Sequence, residues 1–253
     1  MSENRFLEMA ENYDIMAPVM VPHYGFMQSM VLDYLRIEEA EQPVIVDLGA
    51  GSGTFLERIL QRNRTAKCYY VDLSESFLNV AKHKLSRYNG HVDYITTDIE
   101  DGWTDRIPMQ PDYIFSMSAI HHLESHGKQQ LYQRCFDCLK PGGWFVNIDE
   151  MKTIYPDAYF NSLRYWERYC EEQGLRVKGA FMERYRKWRK HFQQWKERNI
   201  NGLNMPKVKG DDIHESFILQ MAWLKEIGFK QVDLFVKLQL WCIIGGKKPV
   251  KQD

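Results

Sequence analysis

The spacing of apolar positions changes period along this chain. Val44 to Leu48 is a short apolar run interrupted only by Asp47, the pattern of a strand buried on both faces. Thr54 to Arg62 then carries apolar residues at helical spacing, followed by strand Cys68 to Val71, helix Glu75 to Leu85 and strand Val92 to Thr96. The alternation continues with strand Tyr113 to Ser116, helix Lys128 to Leu139 and strand Trp144 to Ile148. Strand and helix in turn predict right-handed crossovers and a parallel sheet covered on both faces. Boundary residues agree: Ser74 stands where it can cap the helix from Glu75, and "KPGG" at Lys140 to Gly143 stops a helix and turns the chain into a strand.

From Met151 to about Gly210 the alternation gives way to long helical stretches rich in Tyr, Trp, Arg and Lys, read as an insertion. A last helix follows, with Asp212 and Glu215 as a capping-box-like start and Gly228 as its stop. The short link through Leu238 and Gln239 makes the two closing strands an antiparallel pair, because a parallel pair needs a long crossover. One domain is expected: an N-terminal helical cap over 1–42, a core over 43–150, a helical lid over 151–210, and a closing helix with antiparallel strands over 211–253.

Composition narrows the picture. With 253 residues and 44% hydrophobic content the chain can bury a full core, and a formal charge of -1 provides no global field toward nucleic acid or an anionic membrane. The polar, acidic start lacks a secretory pattern and no apolar run approaches the ~20 residues of a membrane span, so a soluble, cytoplasmic protein is expected. Five scattered cysteines fit reduced thiols, and the C-x-x-C of Cys135 and Cys138 lies in a helical pattern with no partner pair for zinc.

The candidate chemistry begins at "VIVDLGAGSGTFLERIL", a glycine-rich turn from strand to helix. Such a turn lets a ligand approach the backbone at exposed N–H groups. Gly49, Gly51 and Gly53 depart from the dinucleotide G-x-G-x-x-G, and no G-K-[ST] follows to make a P-loop. Asp47, Gly49, Gly51 and Gly53 form instead a D-x-G-x-G-x-G that resembles the class I S-adenosylmethionine (SAM) dependent methyltransferases. "YYVDLS", "TTDIED", "PDYIFSMSAIHHL" and "LKPGGWFV" follow in that family's order. The resemblance implies a Rossmann-like, doubly wound, mostly parallel seven-stranded sheet with an antiparallel final strand and a helical insertion, with SAM as cofactor.

It also implies site residues. Asp47, Gly49, Ala50 and Gly51 would meet the cofactor's ribose and methionine body, and Asp72 with Leu73 its ribose hydroxyls. Asp98 and the Ile99 N–H would read the adenine edge, Ser116 and Met117 would lie beside the methionine portion, and Tyr13 of the "YD" pair would close over SAM. His121 is the candidate general base, since imidazole suits proton removal near neutral pH; the alternative is that one of His121 and His122 packs under the loop while the other hydrogen-bonds backbone or the SAM carboxylate. Tyr24 and His23 are candidates for the acceptor side, and Asp149 and Glu150 either hold a cationic acceptor or cap the next segment.

No metal is expected, because "FSMSAIHHLE" lacks the clustered Asp and Asn ligands of metal-dependent O-methyltransferases. The absence of [DNS]-P-P-[YFW] disfavours nucleic-acid bases. The expected reaction is direct methyl transfer to a small-molecule acceptor, with neither nucleic acid nor membrane as partner and a homodimer left open. "MVPHY" and the closing segment also resemble the carboxy-SAM synthases of tRNA wobble-uridine modification, which need an arginine for the added carboxylate. A SAM-binding protein without catalysis is the third reading. In the insertion, Tyr185, Trp188, Phe192 and Trp195 recur at 3- and 4-residue steps among Arg186, Arg189 and Lys190, the pattern of a lid helix with a basic outer face or of an RNA-binding surface.

Overall fold

The computed structural model describes residues 3–179, 181–207 and 211–250; the expected insertion boundary at Gly210 and residues 1–2 and 251–253 lie outside them. Strands β1 (Val44–Leu48), β2 (Lys67–Asp72), β3 (Val92–Thr96), β4 (Tyr113–Met117), β5 (Trp144–Glu150), β6 (Lys230–Leu238) and β7 (Trp241–Lys247) form one seven-stranded sheet in the order β3-β2-β1-β4-β5-β7-β6. β1 to β5 pair parallel, and β7 is antiparallel to both β5 and β6. Every residue of β1 is buried, which is why it reads as an apolar run without alternation.

Helices α3 (Thr54–Arg62), α4 (Glu75–Leu85), α5 (Ser125–Cys138) and α8 (Phe217–Ile227) cover the sheet, leaving one apolar cluster on each face. The Ser74 hydroxyl caps α4 by accepting from Phe77 N at 3.3 Å, and Gly228, at φ 119°, ends α8 in the left-handed region. The expected capping box at Asp212 and Glu215 does not form. Ser216 caps α8 instead, accepting from Leu219 N at 3.1 Å, and residues 211–216 run as an extended segment with a bridge between Lys152 and Ser216.

The remaining helices come from the N-terminal stretch and the insertion, and Met27, Val31 and Leu32 of the former join Ile45, Phe115 and Val146 in the cluster on one sheet face. α1 (Glu3–Met20) and α2 (Tyr24–Leu35) precede the sheet, and α6 (Pro156–Gly174) and α7 (Phe181–Lys196) follow β5. α6 closes the C-terminal end of α1, whose last carbonyls have no helical partner. Trp166 Nε1 donates to Met20 O at 2.5 Å and the Tyr169 hydroxyl to Pro18 O at 3.2 Å. Trp188, Phe192 and Trp195 of α7 stack along its inner side, Trp195 meets Trp166, and Trp166 meets Trp241 of β7. Arg186, Arg189 and Lys190 are exposed. All five cysteines are free thiols. Among the described residues no helix is long and apolar enough to cross a membrane.

Candidate active site

After β1 the chain crosses toward β2 and after β4 toward β5, so a crevice opens at the carboxyl ends of β1 and β4, where open α/β sheets take their ligands. The glycine turn lines it. Gly49 N and Ala50 N both donate to Val71 O, at 2.8 and 3.1 Å, which fastens the turn to β2. Gly51 N donates to one Asp72 carboxylate oxygen and Ser74 N to the other, each at 2.8 Å. Asp72 therefore arrives with its carboxylate oriented by two backbone donors and with lone pairs left for a further donor on each oxygen.

Asp47, on β1, is 2% exposed, and its Oδ2 has no hydrogen-bond partner. Burial, reinforced by the charge of Asp72, pushes its pKa up to about 8. An orphaned buried carboxylate oxygen is costly, and a donor such as a ligand ammonium or hydroxyl would relieve it. A Cβ on Gly51 would meet nothing closer than the Phe77 ring at 3.9 Å, so the turn faces open space. The donor set thus fits an uncharged, hydroxyl-bearing body with a polar end.

Tyr13 packs edge to face on Phe77 at 5.4 Å and lies within electrostatic reach of Asp72, Glu150 and Tyr24. Its neighbour Asp14 latches α1 over the crevice through Lys84 at 2.6 Å, Ser52 at 2.5 Å and Thr54 at 2.8 Å. Those partners hold the Asp14 pKa below the ordinary carboxylate range although burial opposes them. Leu73 is exposed, and Asp98 is half-buried and accepts from Glu100 N at 3.0 Å. Ile99 is buried, and its carbonyl accepts from the Trp103 indole. The Ser116 hydroxyl is committed to Leu48 O at 2.8 Å, and Met117 accepts from Gln28. Ser118, which sequence reasoning missed, has a buried hydroxyl without a partner and a left-handed backbone at φ 56°. Tyr24 lies on the Asp47 side of the crevice, within reach of Asp14, Asp47 and Arg58, whereas His23 is exposed against Phe26.

A second group of side chains meets beyond β4 and β5. His121 Nδ1 lies 2.6 Å from Asp149 Oδ1, and His121 N donates to Asp149 Oδ2 at 2.9 Å. His121 Nε2 faces His122 Nε2 at 3.1 Å. Glu150 holds His214 Nε2 at 2.9 Å, and the Tyr159 hydroxyl meets His214 Nδ1 at 2.7 Å. Asp149 and Glu150 thus engage imidazoles of their own chain. Asp212 joins from the extended segment, its Oδ2 accepting from Trp195 Nε1 at 2.5 Å and Asn199 Nδ2 at 3.1 Å. That segment is anchored by Ile213 N to His121 O at 2.8 Å and by buried Lys128 to Ile213 O at 2.9 Å.

Burial disfavours the His121 cation, but Asp149, Glu150 and Asp212 outweigh it and raise the pKa to about 10. As an imidazolium, His121 has no lone pair with which to remove a proton, which argues against the base role expected of it. His122 is pushed down to about 4 by desolvation and by the His121 charge, although half of its side chain is exposed. The sequence signalled the His–His pair and the two acids that end β5. It did not signal Asp212 and His214, which lie some ninety residues away from His121 and read as a helix start.

A family model described as a methyltransferase domain matches residues 46–145. A carboxy-S-adenosyl-L-methionine synthase of Helicobacter hepaticus is 22% identical over 172 residues, covering 66% of this chain and 70% of that one. A trans-aconitate 2-methyltransferase of Variovorax paradoxus is 32% identical over 108 residues, covering 43% of this chain and 39% of that one. Human N-acetylserotonin methyltransferase, solved with SAM, matches with a TM-score of 0.60 at 16% identity, covering 98% of this chain. The match takes in 57% of that structure's chain, and at such identity it is a likeness of fold.

Proposed function

Because this chain belongs to the class I SAM-dependent methyltransferases, we propose that it transfers a methyl group from SAM to a small-molecule acceptor by direct displacement. The observation that carries this reading is the pairing of the pre-oriented Asp72 carboxylate with the unpartnered Asp47 oxygen on either side of an open glycine turn. Asp72 would hold the ribose hydroxyls, Asp47 and Ser118 the amino acid end, Asp98 with Ile99 the adenine edge, and Tyr13 the outer side. When bound, SAM supplies a methyl group already activated by its sulfonium charge.

The protein's tasks are then to align the acceptor and to exclude water. α1, pinned by Asp14, and the aromatic side of α7, whose Trp188 lines one pocket with Tyr13, would close the site. His121 keeps its proton and the His122 Nε2 is engaged with His121, so the acceptor's nucleophile enters without a dedicated free base. A second reading draws on the relatives named carboxy-SAM synthases and on Arg184, which lines a pocket together with Tyr13, Met16 and Trp188. A guanidinium there would suit an added carboxylate.

Calorimetric titration with SAM tests the main reading. Asp72→Ala is expected to weaken binding by about 2–3 kcal/mol, the loss of hydrogen bonds to a charged group. Unchanged affinity in a variant that folds like the wild type removes Asp72 from the site. Mass spectrometry of the copurified ligand separates the two readings: SAM or its demethylated product supports methyl transfer, and carboxy-SAM the alternative.

A further inference from the structure

The His121–His122 contact poses a question of protons. His121 Nδ1 faces a carboxylate, which only accepts, so this nitrogen carries hydrogen and any lone pair sits on Nε2. His122 Nδ1 is turned toward two acceptors, Asp211 O at 3.5 Å and Asp212 Oδ1 at 3.6 Å, which again places the lone pair on Nε2. The 3.1 Å contact holds a proton on His121 Nε2; with that proton gone two lone pairs would face each other, and a metal ion can take the proton's place between them. A third donor faces the same point. Asp212 Oδ1 lies 3.8 Å from His121 Nε2, and the Asp212 bonds to Trp195 and Asn199 both fall on Oδ2.

We propose that His121, His122 and Asp212 form a binding site for a single divalent first-row transition metal ion. One donor atom from each side chain lies within 4.8 Å of the other two. At metal–ligand distances of roughly 2.0–2.2 Å, donors around one ion stand about 3.0–3.4 Å apart; the two imidazole nitrogens at 3.1 Å already meet this, and Asp212 Oδ1, 3.8 Å from His121 Nε2, has to move inward to complete the site. Two imidazoles and a carboxylate suit zinc, iron or cobalt rather than calcium or magnesium. The outer partners are those of a built site: Asp149 fixes the tautomer of His121, and Trp195 with Asn199 orient Asp212.

Charge favours it as well, since Asp149, Glu150 and Asp212 are three buried carboxylates in one cluster. Glu150, Asp212 and His214 also converge, but both His214 nitrogens are committed, to Tyr159 and Glu150, and its side chain has no exposed surface. His122, half exposed, gives the proposed site an entry path and open coordination positions. Resting on the methyl-transfer reading for this part only, the ion would hold an acceptor through a pair of oxygens, as in an enolised 2-oxo acid or a catechol-like ring.

The test is metal binding by the full chain, freed of any affinity tag. Dialysis against Co(II), followed by elemental analysis and visible absorption, is expected to show one ion per chain with the d–d bands of a low-symmetry nitrogen and oxygen site. His122→Ala, at a half-exposed position, is expected to fold normally by circular dichroism and to bind at least about 100-fold more weakly. Asp149→Asn is expected to lose about 10–100-fold, the usual effect of an outer partner. SAM titration of His122→Ala is read separately: retained SAM affinity with lost Co(II) supports the metal site, and loss of SAM affinity in Asp72→Ala bears only on the cofactor reading. No retained ion, or equal retention by wild type and His122→Ala, overturns the proposal and leaves a proton between the imidazoles.

Discussion

Gly49 and Gly51 stand two residues apart in the same turn and answer to different demands. Both have positive φ, at 69° and 52°. A Cβ on Gly49 would lie 2.3 Å from the Cβ of half-buried Ala119, whereas one on Gly51 would point into open crevice. Gly49→Ala is therefore expected to destabilise the fold by roughly 2–5 kcal/mol, combining left-handed strain with overpacking. Gly51→Ala should cost about 1–2 kcal/mol in stability while removing most SAM affinity. Denaturant titration and calorimetry on the two variants check this, and equal stability losses would refute the division. The glycine motif was legible as a strand-to-helix turn; which glycine meets a distant neighbour was not, because Ala119 lies seventy residues away in the chain.

At the scale of the element, α7 was read from a 3- and 4-residue aromatic rhythm, and its inner side does carry the aromatic residues. Phe192 is buried, Trp188 is half-buried between Tyr185 and Phe192, and Arg186, Arg189 and Lys190 are exposed. Trp188→Ala should cost about 2–3 kcal/mol, below the range for a fully buried Trp. Changing the three basic residues to Gln should alter stability by less than about 0.5 kcal/mol and leave SAM affinity unchanged. Thermal melts and titration decide it. Tight tRNA binding whose salt dependence flattens in the Gln variant would instead mark α7 as an RNA surface. The start of α8 was misplaced for a physical reason. Asp212 and Glu215 have the residue types of a capping box, yet Asp212 accepts from Trp195 and Asn199 and Glu215 from Ser125, so both carboxylates are engaged away from the helix end.

For the whole molecule, the buried ion pairs predict how stability follows pH. His121 has a folded pKa of about 10 against an ordinary 6.5, so the native state holds a proton that the unfolded chain has lost between those values. Its contribution is full below pH 6.5 and is lost as pH rises toward 10. Asp47, raised to about 8, tilts stability the same way between the ordinary carboxylate value and pH 8. Asp149→Asn leaves the buried imidazole without its carboxylate and should cost about 3–5 kcal/mol near pH 6, with the deficit shrinking by pH 10. Urea unfolding at three pH values measures this, and a deficit independent of pH would show that His121 is not charged in the native state. The sequence by itself determined the parallel core, the antiparallel closing strands and the glycine turn, because strand and helix periods and turn residues act over a few neighbouring positions. Only the tertiary structure decided that His121, His122, Asp149, Glu150, Asp212 and His214 share one cluster, buried except at His122. They come from three separate stretches of chain, and their meeting depends on the crossing of an irregular segment over the strand ends, held by single hydrogen bonds that leave no periodic trace in the residues.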